Sequence, residues 1–313
     1  MRMGALDGAV VVITGAGRGI GRATALAAAA EGATVIAADN GVELDGSGGN
    51  PGVAEAVANE IKARGGKAVA VAADVATMTG AEAAIRAALD GFGKIDGLVC
   101  AAGIRRDTPI WRMTEEDFES VVTGNAKAAF NVIKLASIAM RQNRYGRIVM
   151  FASDAGLGSV GASNYAAASE GQIGLSRTVA RDVGRYGVTC NAISPLARTR
   201  MFGGASEELR PPAGVVSAEE MAGLAPPMPL QKWEGDGHPD DPESVAPLAC
   251  YLLSEQSGDV NGNLFGVRGG EVYLYSYPQI ERQILSYNRR FTMDEMDEQM
   301  PRTVANGANS PLR

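Results

Sequence analysis

The sequence predicts an α/β fold, a doubly wound parallel sheet, on three observations. Short β-branched apolar runs alternate with Ala-rich stretches of helical spacing, the order of a parallel sheet covered on both faces. The runs are apolar throughout rather than alternating, as strands buried on both sides are. Glycine is abundant, 40 of 313 residues with no fixed period, and it gathers where strands would turn into helices.

The elements follow in order. Residues 9–14 (AVVVIT) make a first strand that ends at glycines. Gly15-Ala16-Gly17-Arg18-Gly19-Ile20-Gly21 leads into a helix over 22–31, which Gly32 stops. Residues 33–38 make the second strand, closed by Asp39. The Gly-rich stretch 40–52 predicts an exposed loop. A helix over 53–64 is stopped by Gly65-Gly66, and a third strand over 67–72 is followed by Asp74. A helix over 81–92 precedes a fourth strand at 95–101. Thr114 as N-cap, with Glu115, Glu116 and Asp117 in the first turn, opens a long helix to 142. A fifth strand (147–152), a helix (164–186), a sixth strand (188–193), a helix (241–254) and a last strand (263–267) complete the pattern. Segment 196–238, rich in Pro and Gly, fits neither period and predicts a substrate lid or insertion. Its Met201, Phe202, Met221, Leu224, Met228, Leu230 and Trp233 could line an apolar pocket or lie scattered on a surface loop. The expected organisation is one domain over 1–270 and a C-terminal arm over 271–313, where 272–275 could add a strand.

Composition removes several function classes. Basic residues number 29 and acidic 36, a net charge of −7, so nucleic acid is not the expected partner. A single histidine, His238, excludes a metal site built on several histidines. It also excludes a His-based triad that does not use it. Cys100, Cys190 and Cys250 are too scattered for a zinc knuckle or a disulfide scaffold, so no metal is expected and a reducing cytoplasm fits. No apolar run approaches the ~20 residues of a membrane helix. The first seven residues lack the apolar core of a signal peptide, so the expectation is a cytoplasmic protein with no membrane partner.

The glycine turn between the first strand and the first helix is a setting for nucleotide phosphate. Glycines let the backbone approach closely, and a helix N-terminus offers free N–H groups and a positive dipole. Asp39, ending the second strand, can accept both ribose hydroxyls of an adenosine and would repel a 2′-phosphate, which favours NAD over NADP. Arg18, inside the turn, could partly serve a 2′-phosphate instead.

The spacing Thr14-Gly15-x-x-x-Gly19-x-Gly21 resembles the phosphate turn of the short-chain dehydrogenase/reductase family, and other matches follow in order. Asp74-Val75 stands where that family holds adenine. Cys100-Ala101-Ala102-Gly103 stands at its Asn-Asn-Ala-Gly. Asn125, Ser153 and Tyr165 match its active-site Asn, Ser and Tyr, and Asn191-Ala192-Ile193-Ser194-Pro195 matches its motif after the sixth strand. The loop after Asp39, the string Ala102-Gly103-Ile104-Arg105-Arg106-Asp107 and the C-terminal extension are similar to a longer subgroup. That subgroup includes the dehydrogenase part of peroxisomal multifunctional β-oxidation enzymes. The resemblance implies a single Rossmann-like domain. It implies an NAD site at Gly15, Gly17, Arg18, Gly19, Ile20, Asp39, Asp74, Val75, Ala101, Ala102, Gly103, Tyr165, Pro195 and Thr199. It also implies a catalytic set of Asn125, Ser153, Tyr165 and the residue at 169. The implied reaction interconverts a secondary alcohol and a ketone, on a 3-hydroxyacyl thioester or a bulky alicyclic or steroid-like substrate. Tyr165 would be the acid/base, Ser153 would bond the substrate oxygen, and Asn125 would hold a helix backbone and a relay water. Assembly would be a homodimer or tetramer through the two long helices.

One residue departs from the pattern. The family motif is Tyr-x-x-x-Lys, and here it reads Tyr165-Ala166-Ala167-Ala168-Ser169. In the family that lysine binds the nicotinamide ribose and depresses the tyrosine pKa. Free tyrosine ionises near ~10, so it needs such help. Losing a cation a few ångströms from the phenol costs on the order of 1–4 kcal/mol, or about ten- to a thousandfold in rate. Glu170 would work against ionisation. Smaller departures are Cys100, read as a buried apolar residue, and Leu196 where the family has Gly. A competing expectation follows from Ser169: a cofactor-binding, catalytically impaired subunit that pairs with an active homologue in a hetero-oligomer, or an engineered Lys-to-Ser variant.

Overall fold

The computed structural model describes residues 4–202, 238–286 and 290–308. They fall into two compact units that divide after Tyr275. In the first unit one eight-stranded sheet runs β3-β2-β1-β4-β5-β6-β7-β8. The strands are β1 (Val10–Thr14), β2 (Thr34–Ala38), β3 (Lys67–Val71), β4 (Gly97–Cys100), β5 (Gly146–Phe151), β6 (Val188–Leu196), β7 (Leu264–Arg268) and β8 (Glu271–Leu274). Pairings from β3 through β7 are parallel, with Val11 opposite Val35 on one side and Gly97 on the other. β8 alone runs antiparallel, Val272 opposite Val267.

Successive strand residues feed opposite faces, so each apolar run serves two cores. Val10, Val12, Leu98, Ile148 and Met150 pack under α3 (Met78–Phe92), α5 (Ala128–Asn143) and α6 (Ser163–Val183). Val11, Ile13, Val35, Val99, Val149 and Ile193 pack under α1 (Gly19–Ala30), α2 (Gly52–Ala63) and α7 (Ala246–Leu253). This is the doubly wound α/β arrangement that the continuous apolar runs predict. The strand order reverses between β1 and β4, where crossovers leave the sheet in opposite directions and open a crevice.

Several boundaries differ from the expectation. The long helix from 114 is not continuous. α4 (Glu115–Val122), opened by a reciprocal Thr114/Asp117 capping box, passes into a π-turn at Thr123–Lys127 before α5 begins. α3 starts earlier, because the Thr77 hydroxyl accepts the Gly80 amide and caps it. β6 runs three residues longer, through Pro195 and Leu196, because β7 pairs with it to that point. The helix expected over 241–254 splits into a 3-10 turn, Pro242–Ser244, and α7. Residues 271–274 belong to the sheet, so the expected boundary at 270 cuts off an edge strand. The second unit carries one helix among the described residues, α8 (Met293–Gln299), with its own Thr292/Glu295 capping box. Most of the expected lid lies outside the described residues, including Met221, Leu224, Met228, Leu230 and Trp233. No helix among the described residues is long and apolar enough to cross a membrane.

Candidate active site

The crevice at the β1/β4 switch point is a cleft of about 520 Å³. One end is built from the glycine turn and the end of β2. Gly15 has φ +65°, and a Cβ there would lie 2.5 Å from the Ala101 carbonyl oxygen, so only glycine fits between the first turn and β4. The Thr14 hydroxyl donates to the Val99 carbonyl and accepts the Ala101 and Ala102 amides, fixing the two strand ends that flank the cleft. α1 has no acidic residue in its first turn, which keeps its N-terminal dipole open to an anion.

The Asp39 carboxylate is held from both sides. Oδ2 accepts the Gly17 amide (2.9 Å) and Oδ1 the Gly41 amide (2.7 Å). Each oxygen keeps a lone pair for a further donor in the cleft. Arg18 and Arg200 both donate to the Val42 carbonyl at 2.9 Å and face Glu43, tying the loop after β2 across this end. Burial and the neighbouring Arg18 charge hold Arg200 below the usual guanidinium range. Farther along, Val75 is buried and Asp74 exposed, and Asn131 of α5 pins this turn by donating to the Val75 and Ala76 carbonyls. The pieces fit an extended dinucleotide: an anion-receptive helix end, a ribose-side carboxylate, and a trough between the ends of β1 and β4.

The other end carries the candidate chemistry. Tyr165, in the first turn of α6, is 8% exposed and lines the cleft. The Ser153 hydroxyl, at the end of β5, caps a 3-10 turn through the Ala155 amide and faces the Tyr165 phenol. Burial pushes the phenol above the usual tyrosine range, and the Arg105 guanidinium opposes that rise. Asn125 sits inside the π-turn, where its side-chain amide donates to the Ile104 (2.9 Å) and Val121 (2.7 Å) carbonyls. Gly103 owes its identity to this residue, since a Cβ there would lie 2.3 Å from Asn125 Oδ1.

Residues 9–209 match the short chain dehydrogenase family. The chain belongs to the short-chain dehydrogenase family. Members of this family are oxidoreductases that use nicotinamide cofactors. The chain is 36% identical over 287 residues to the hydroxyacyl-CoA dehydrogenase ChsB1 of Mycobacterium tuberculosis, covering 89% of this chain and 83% of that one. It is 37% identical over 265 residues to the peroxisomal multifunctional enzyme type 2 of Mus musculus, covering 84% of this chain and 32% of that enzyme. It therefore spans about a third of the multifunctional relative. The crystal structure of a short chain dehydrogenase from Mycobacterium avium aligns with a TM-score of 0.78 at 36% identity, covering 96% of each chain.

Within this short-chain dehydrogenase, Gly15, Arg18, Gly19, Ile20, Asp39, Asp74, Val75, Ala101, Ala102, Gly103, Asn125, Tyr165, Pro195 and Thr199 all line the one cleft. Three expected residues do not. Gly17 has its amide turned to Asp39, and a Cβ there would strike Val53. Ser153, 1% exposed, pairs with the Tyr165 phenol without itself lining the cleft. Ser169, one turn along α6 from Tyr165, is 1% exposed and does not line the cleft either. Gln172, also absent from the sequence expectation, lines the cleft at 4% exposure. Seven residues is two helical turns, so the Tyr165 spacing could have found it. Arg105 gives no such signal, because it lies outside any helical spacing from Tyr165, in the loop after β4. Its guanidinium carbon lies 5.0 Å from the Tyr165 ring centroid.

Proposed function

We propose that this chain is an NAD(H)-dependent dehydrogenase that interconverts a 3-hydroxyacyl thioester and its 3-oxo form, with Tyr165 as the acid/base. The observation that carries this is the Ser153 hydroxyl facing the Tyr165 phenol at one end of a cleft whose other end holds the anchored Asp39 carboxylate. NAD(H) is favoured over its phosphorylated form because a 2′-phosphate would meet Asp39, while Arg18 and Arg200 are engaged with Val42 and Glu43. The thioester class comes from the names of the relatives, a hydroxyacyl-CoA dehydrogenase and a multifunctional peroxisomal enzyme.

The nicotinamide ring, when bound, supplies the hydride acceptor. Ser153 donates to the substrate oxygen and orients the carbinol. Tyr165, as phenolate, takes the hydroxyl proton while the carbinol C–H leaves as hydride, and in reduction it returns that proton to the alkoxide. Asn125 holds the Ile104 carbonyl against the π-turn and so fixes the wall of the cleft beside Tyr165.

Ser169 supports a second reading, a cofactor-binding subunit with little activity of its own. One experiment separates the two. The full chain is titrated with NADH and with NADPH by fluorescence, then assayed with a panel of 3-hydroxyacyl-CoA and alicyclic alcohol substrates. Saturable NADH binding with turnover of the acyl thioesters is expected. Binding without turnover, restored by Ser169→Lys, would support the silent subunit. Absence of binding would overturn both.

A further inference from the structure

Resting on the reading of Tyr165 as the acid/base group, we propose that Arg105 is a positioning residue of this site. Its guanidinium, held over the Tyr165 ring from the loop after β4, supplies the positive charge that Ser169 lacks.

The geometry for this is specific. The Arg105 side chain is only 17% exposed, and its guanidinium carbon stands 5.0 Å from the ring centroid. It is fixed on several sides. Nε bonds both Asp107 carboxylate oxygens (2.7 and 2.9 Å), Nη1 donates to the Met201 carbonyl (3.0 Å), and its backbone amide donates to the Leu44 carbonyl (2.8 Å). The loop is fixed against the tyrosine as well. Asn164 accepts the Tyr165 amide while donating to the Arg106 and Asp117 carbonyls, and the Thr108 amide donates to the Gly161 carbonyl. A charge on such a mount needs no reordering when the phenol ionises, which is how preorganised electrostatics work.

Other charges around the phenol define what Arg105 has to overcome. Asp107 from the same loop and Asp154 from the turn after β5 both disfavour the phenolate, as burial does. Glu170, next along α6, lies against Gly156 on that same turn. Arg106 is directed away, to Glu116 (3.2 Å), Asp117 (3.6 Å) and the Asp45 carbonyl. Lys127 in the π-turn is exposed. A cation within a few ångströms lowers an acid by about 1–3 pH units. Arg105 is paired with Asp107, so the lower end, about one unit, is expected.

The test is a titration of the full chain carrying ring-13C tyrosine, with the Tyr165 signal assigned by Tyr165→Phe. It is run beside the pH dependence of kcat/KM for alcohol oxidation. Arg105→Met should raise the Tyr165 midpoint by about one unit and displace the rising limb of the profile to higher pH by the same amount. That is about a tenfold loss below the midpoint. NADH binding should stay within about threefold. Arg105→Lys should recover most of the shift, Asp107→Asn should move the midpoint down, and adding Ser169→Lys to Arg105→Met should restore it. Opposite signs from Arg105→Met and Asp107→Asn cannot come from general loosening of the loop. An unmoved midpoint in both variants overturns the proposal. If the unaltered chain has no turnover, the tyrosine titration still reads the guanidinium, so the proposed function can fail while the tuning stands.

Discussion

Asp39 and the three cysteines show how neighbours decide what a residue can do. Cys100, Cys190 and Cys250 are all buried, and burial pushes each thiol up, to about 12 for Cys250, which leaves them inert parts of the core. The Asp39 carboxylate is instead held at the cleft by two backbone amides. Hydrogen bonds to a charged group contribute about 1.5–3 kcal/mol, so Asp39→Ser removes both the ribose acceptor and the brace that aims it. NADH affinity should fall about 10- to 100-fold. Because Arg18 and Arg200 stand beside this carboxylate, NADPH affinity should fall less or rise. The ratio of the two dissociation constants by fluorescence titration checks this, and it works whether or not the chain turns over. An unchanged ratio would remove Asp39 from cofactor selection.

At the scale of elements, the π-turn at Thr123–Lys127 carries the most information per residue. π-turns cost hydrogen-bond geometry and recur at functional sites. This one presents Asn125 toward the cleft while its amide satisfies the Ile104 and Val121 carbonyls. Asn125→Ala leaves both carbonyls without that donor, at a cost of about 1–3 kcal/mol. Asn125→Ala should therefore lower the melting temperature and reduce kcat more than it weakens NADH binding. A kcat unaffected by Asn125→Ala would reduce the residue to a structural brace. The sequence could not show the turn, because the residues over 114–142 are all compatible with an α-helix and the fifth backbone bond leaves no apolar signature. What was legible is what burial enforces. The runs ending at Thr14 and Ala38 read as buried parallel strands because their residues are apolar on both faces and serve two cores. The Tyr165–Ser153 pairing was legible only through the family motif, since a serine after a strand and a tyrosine in a helix have ordinary structural uses. Arg105 was hidden because the contact that gives it meaning joins residues 60 positions apart in sequence, brought together by the fold.

For the whole molecule, the sheet order places the candidate cofactor end and the candidate chemical end in one crevice. α4 and α5 present Phe118, Phe130 and Ile138 at 41%, 46% and 48% exposure. Phe130 and Ile138 lie two turns apart along α5, within one stripe about 100° wide. Large apolar side chains grouped on a helix face mark an interaction surface more often than chance scatter. We propose that this face pairs with a second copy of the chain, as the family resemblance implies. Light scattering at micromolar concentration should then give a dimer or a larger assembly. Phe130→Glu combined with Ile138→Glu buries two carboxylates in that contact and should shift the mass toward the monomer, since an unpaired buried charge costs several kcal/mol. NADH binding should remain within about threefold, because neither residue lines the cleft. A monomeric unaltered chain, or a double variant of undiminished mass, would place the interface elsewhere. Dissociation with binding retained would show that the crevice is complete within one chain.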